Sequence, residues 1–67
     1  MLVKEAIAKL RSDIHTLDTL IKESKGGQFL IRQRERAVRE LILSVYETVE
    51  PEAEILVADI DILITLN

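Results

Sequence analysis

The sequence predicts an all-α fold: an antiparallel helical hairpin (about 2–25 and 28–49) and a short C-terminal helix (about 51–66), with copies assembled into a homo-oligomeric bundle. Three observations predict it. Val3, Ile7, Leu10, Ile14, Leu17 and Ile21 follow one another in alternating steps of four and three, the spacing of a heptad seam. Gly26 and Gly27 then interrupt the pattern, and a second helically spaced apolar run follows. Finally, 48% of only 67 residues are hydrophobic, 24 of them Leu, Ile or Val. Three short helices in one copy struggle to hide that much aliphatic surface.

The first segment, from Leu2 to Lys25, presents a seam roughly 35 Å long at 1.5 Å of rise per residue. Its other positions carry Lys4, Glu5, Lys9, Arg11, Asp13, Asp18, Lys22 and Glu23 in mixed sign. Leu2, Ala6 and Leu20 widen the stripe, so the helix meets more than one neighbour. Lys22 and Lys25 favour the negative end of the helix dipole. Gly26 suits the C′ position, which takes a positive φ.

The second segment, from Gln28 to Val49, places Ile31, Val38, Ile42, Val45 and Val49 along one face, with Leu30, Ala37 and Leu41 beside them. A short glycine break between two helices makes an antiparallel pair. That pairing predicts Leu17 near Ala37 and Val38, Ile14 near Leu41, and Leu10 near Val45.

The third segment opens on Glu50-Pro51-Glu52-Ala53-Glu54, an acidic first turn with proline at its start. Beyond it, Leu56, Ala58, Ile60, Ile62, Ile64 and Leu66 alternate as a strand does, while Ala53, Leu56, Val57, Ile60, Leu63 and Ile64 fit a helical stripe. The acidic start and the helical context favour helix. A helix this apolar belongs inside an assembly. Leu56, Ile60, Leu63 and Ile64 therefore join Val3, Ile7, Leu10, Ile14, Leu17 and Ile21 as the expected interface between copies.

A chain of this length holds one domain, 1–67. Chains below roughly 70–80 residues lean on disulfides, metals or oligomerisation. Here there is no Cys and a single His, so self-association is the expected remedy. Two aromatics, Phe29 and Tyr46, are too few for a base-stacking platform, and a net charge of −3 disfavours nucleic acid. No apolar run reaches the roughly 20 residues of a membrane span, and the start of the sequence lacks a signal-peptide pattern. The expected setting is cytoplasmic, with no membrane partner and no cofactor.

Arg32, Arg34, Arg36 and Arg39 are the sharpest polar feature. They sit in the first half of a helix, where cations oppose the dipole, so something must compensate. One reading pairs them with acids of the same assembly: residues 47–61 hold six acids and no base, and Glu35 and Glu40 are local candidates. The other is an anion site, for a partner's carboxylates or a phosphate. Asp59 and Asp61, at i and i+2, point to different sides of a helix and keep an apolar segment soluble. His15 has no nucleophile to activate and reads as a surface residue. Phe29 and Leu30 form an apolar hairpin tip.

The stretch Leu10-Arg11-Ser12-Asp13-Ile14-His15-Thr16-Leu17-Asp18-Thr19-Leu20-Ile21 resembles the first helix of the all-helical chorismate mutases, which would make Arg11 an active-site arginine. The likeness covers twelve residues, and the break at Gly26 departs from it. The helix, Gly-Gly, helix plan is similar to the small co-chaperones of type III secretion needle subunits in size and layout, although the segment after Pro51 has no place there.

These features predict binding and not catalysis. The expected role is a protein–protein interaction module (inhibitor, adaptor or co-chaperone) that contacts its partner through Phe29, Leu30, Arg32, Arg36 and Arg39. The alternative is a phosphate or nucleic-acid binder built on the same arginines. Leu10→Asp places a charge in the seam. It is expected to unfold or dissociate the protein, and a variant with native helicity and native size by light scattering contradicts the seam.

Overall fold

In the computed structural model, which describes residues 1–65, α1 spans Val3–Glu23, α2 spans Gly27–Tyr46 and α3 spans Val57–Thr65. α1 and α2 form the hairpin, and α3 packs against α2. The start of α1 shows how α3 is placed. The first N–H groups of a helix have no partner within it. Here Val3 N–H donates to the Ala53 carbonyl at 2.9 Å and Lys4 N–H to the Pro51 carbonyl at 3.1 Å. The Glu5 carboxylate accepts from Leu2 N–H at 3.3 Å. Ile55 N–H donates to Met1 O at 2.8 Å and the Met1 ammonium donates to Ile55 O at 3.1 Å, flanking an antiparallel bridge between Leu2 and Glu54.

This clasp corrects the expected start of the third helix. Residues 51–56 are not helical: the carbonyls of Pro51 and Ala53 and both backbone groups of Ile55 bond to the first residues of the chain. The helix begins at Val57, and the alternating pattern over 57–65 resolves as helix, not strand. The expected end at Leu66 lies outside the described residues. α2 likewise stops at Tyr46 and not at Val49. Thr48 then folds back on the Val45 carbonyl through both its N–H and its hydroxyl.

The hairpin turn is one step different from expectation. α1 ends at Glu23, and the Ser24 hydroxyl donates to Leu20 O at 2.6 Å while its N–H donates to Ile21 O. Gly26 has the expected positive φ, 62°, but it precedes α2 as that helix's N-cap and does not close α1. A β-carbon there meets nothing within 4 Å, so backbone conformation and not space calls for glycine.

The core lies at the end away from the glycines. Val3, Ala6, Leu10, Ile42, Tyr46 and Ile60 form one buried cluster, with Ile7, Val38, Leu43, Ala53, Ile55 and Ile64 packed around it. Tyr46 was not expected in the core. It takes the place opposite Leu10 that the sequence pattern gave to Val45, which is 55% exposed. One residue along a helix is a rotation of about 100°, so α2 turns a different face to α1 than its aliphatic pattern suggests.

Ile60 is 1% exposed and joins α3 to both other helices' core residues. Ile60→Ala is expected to cost about 2–5 kcal/mol, a large fraction of the stability of so small a domain. Leu56→Ala, at a site 69% exposed, is expected to stay within about 0.5 kcal/mol. Denaturant melts of the two variants check the contrast.

Candidate interaction surface

Arg36 and Arg39 of α2 reach toward α1, while Arg34 is exposed. Arg36 bonds through Nε to Asp18 of α1 and through Nη1 to Glu40, one turn along α2, at 2.7 Å. The hydrogen bond to Asp18, reinforced by the two carboxylate charges, holds the Arg36 guanidinium more firmly protonated than a free arginine. Arg39 places Nε 3.9 Å from Asp13 and donates from Nη1 to the Glu35 carbonyl at 3.1 Å. The arginine stems cover apolar surface while the heads reach acids at the rim.

Glu40, one of the expected local acids, supplies part of the compensation for these cations, and Asp13 and Asp18 of α1 supply more. The acidic stretch 47–61 also meets cations of α1. Within that stretch Glu47 lies 4.0 Å from Arg11, and Glu52 bonds to Lys4 at 3.0 Å. These are exposed pairs worth little in stability. Arg32 differs. Its Nε is buried, and among the described residues it has no hydrogen-bond partner. Arg36 and Arg39, proposed as partner contacts by the sequence, are engaged within the chain, and Arg32 is the one with an unmet donor.

The predicted interface residues separate. Val3, Leu10, Leu17 and Ile60 are buried by the chain's own helices, while Ile7, Ile14, Ile21 and Ile64 are half-buried. Leu56 and Leu63 are exposed. At the tip Phe29 is half-buried and Leu30 is 65% exposed. His15, Asp59 and Asp61 are exposed, and no cluster of three or more metal-ligating side chains occurs among the described residues.

Among the described residues, nine large aliphatic side chains remain exposed. Leu30, Ile31, Leu41 and Val45 lie on the side of α2 turned away from the Arg36–Asp18 and Arg39–Asp13 pairs. On α3 and the segment before it Leu56, Val57, Ile62 and Leu63 are exposed as well, and Leu63 adjoins Leu41 and Val45. Where the two helices meet, Leu41, Ile42, Val45, Tyr46 and Leu63 line an open groove of about 170 Å³. This surface is what the sequence reading missed, because it assigned Leu41 and Val45 to the hairpin interior. The signal was available: Asp13 and Asp18 stand in register with Arg39 and Arg36, and that pairing fixes the inward face of α2.

Comparison with protein-family models, with curated protein sequences and with solved structures finds no match to this chain.

A buried donor without an acceptor costs free energy, whereas an apolar replacement of similar length does not carry that cost. Arg32→Met is therefore expected to leave stability unchanged or to raise it by about 1 kcal/mol. A clear loss in a denaturant melt shows that the guanidinium has a partner.

Proposed function

We propose that this chain is a small non-enzymatic protein–protein interaction module, an inhibitor, adaptor or co-chaperone, that acts as a homo-oligomer. The observation that carries the reading is the exposed aliphatic face of α2, with Leu63 of α3 adjoining it at Leu41 and Val45. Isolated exposed leucines are ordinary, but several grouped on one helix face mark a contact surface. Area supports the same conclusion. A compact monomer of 7.6 kDa exposes about 4,300 Å², and this chain exposes 4694 Å². Its radius of gyration is 12.6 Å, against about 11 Å for a compact domain of its length.

Among the described residues no helix is long and apolar enough to cross a membrane. A second reading, a binder of phosphate-bearing ligands through the helix-two arginines, is favoured by one observation, the unmet Arg32 Nε. Arg36 and Arg39 weigh against it, since both already face carboxylates.

The readings separate by salt. Assembly through aliphatic contact persists as ionic strength rises, while phosphate binding falls steeply. Light scattering is expected to give a mass of at least twice the 7.6 kDa chain at low and high salt, with no binding of a fluorescent single-stranded oligonucleotide. A folded 7.6 kDa particle at high protein concentration overturns the oligomeric reading. Oligonucleotide binding that Arg32→Glu abolishes establishes the alternative.

A further inference from the structure

We propose that a second copy of this chain covers the outer face of α2, running antiparallel about a two-fold axis beside Ala37 and Val38. This rests on the interaction-module reading and names the occupant of its surface. Three observations carry it.

The first is spacing. A two-fold contact must match itself under reversal. Reversal between positions 37 and 38 sets Leu30 of one copy across from Val45 of the other, and the Arg34 stem across from Leu41. Leu30, Leu41 and Val45 are each more than half exposed, so Leu30 and Val45 cover one another and Leu41 is covered by the aliphatic part of Arg34. Ala37, small and exposed at the centre, lets the two backbones approach. The arriving Leu30 lands beside the 170 Å³ groove between α2 and α3.

The second is charge. The glycine end of the hairpin, residues 18–36, carries five cations, Lys22, Lys25, Arg32, Arg34 and Arg36, against Asp18, Glu23 and Glu35. The stretch 47–54, at the opposite end, carries four acids, Glu47, Glu50, Glu52 and Glu54, and no base. Antiparallel pairing brings each basic end over the other copy's acidic end, with Lys25 facing the neighbourhood of Glu50. Parallel pairing stacks like on like.

The third is area. The surface exposed beyond that of a compact monomer, about 400 Å² per copy, is of the size a helix-to-helix contact removes, and this face holds Leu30, Leu41 and Val45 among the exposed aliphatic groups.

Because the sequence contains no cysteine, single introduced cysteines report the geometry. Ala37→Cys lies beside the axis and is expected to form an inter-copy disulfide under mild oxidation. Gln28→Cys residues of an antiparallel pair stand about 30 Å apart at 1.5 Å per residue, far beyond the roughly 7 Å that a disulfide spans, and are expected to stay reduced. Leu41→Glu, on the exposed face, is expected to raise the dimer dissociation constant on the order of 100-fold with helicity by circular dichroism unchanged. A wild-type oligomer that survives Leu41→Glu, that links at Gln28→Cys, or that fails to link at Ala37→Cys overturns this arrangement and leaves the interaction-module reading in place. A wild-type monomer overturns both.

Discussion

Hydrogen bonds from the beginning of α1 to the α2–α3 connection determine where the remaining elements lie. The carbonyls of Pro51 and Ala53 satisfy the Val3 and Lys4 N–H groups, and Met1 and Ile55 exchange two more bonds. A helix N-terminus left bare near a hydrophobic cluster carries unsatisfied donors. Here the donors are satisfied by backbone and not by a Ser, Thr or Asp side chain, which is why Leu2 can stand at the N-cap. After a turn at 51–52, the same bonds hold residues 53–55 alongside the chain's first residues, and that course delivers Val57 to the point where α3 begins. Ile60 then drops into the cluster with Val3, Leu10 and Tyr46.

A division of labour between the two faces of α2 follows. The inner face reaches α1 through Ile42, Tyr46 and the stems of Arg36 and Arg39, with Asp13 and Asp18 receiving the charges. The outer face keeps Leu30, Leu41 and Val45 in solvent. A helix that needed only to complete a hairpin would place its leucines inward and its arginines outward. The inverted arrangement leaves the hairpin held partly by ion pairs and keeps aliphatic surface outside, the pattern expected of an element that serves two contacts at once.

The two long helices and the glycine break between them were legible in the sequence because periodicity and positive-φ glycine are local signals. The hairpin register was legible too: the expected neighbours Leu17 and Ala37 lie at the same level as the Asp18–Arg36 pair. The rotation of α2 was not. Two stripes of heptad spacing coexist on that helix, and reading hydrophobicity alone prefers the aliphatic stripe over the one made of arginine stems and a tyrosine. The start of α3 was misplaced for another reason. Pro51 and its acidic neighbours carry an ordinary helix-start pattern, but long-range backbone bonds to α1 override it, and backbone bonding leaves no mark in side-chain order. The same rotation kept the exposed surface hidden from sequence reasoning.

The clasp also orders the assembly of the chain in time. The Asp18–Arg36 contact closes a span of 18 residues, whereas Met1 to Ile55 closes one of 54. The longer closure costs about 1 kcal/mol more in chain entropy, and it needs the hairpin already formed to supply the surface on which α3 settles. The hairpin contact is therefore the cheaper one to close, and the terminal tie, which holds Val3 and Ile60 in one cluster, is the costlier.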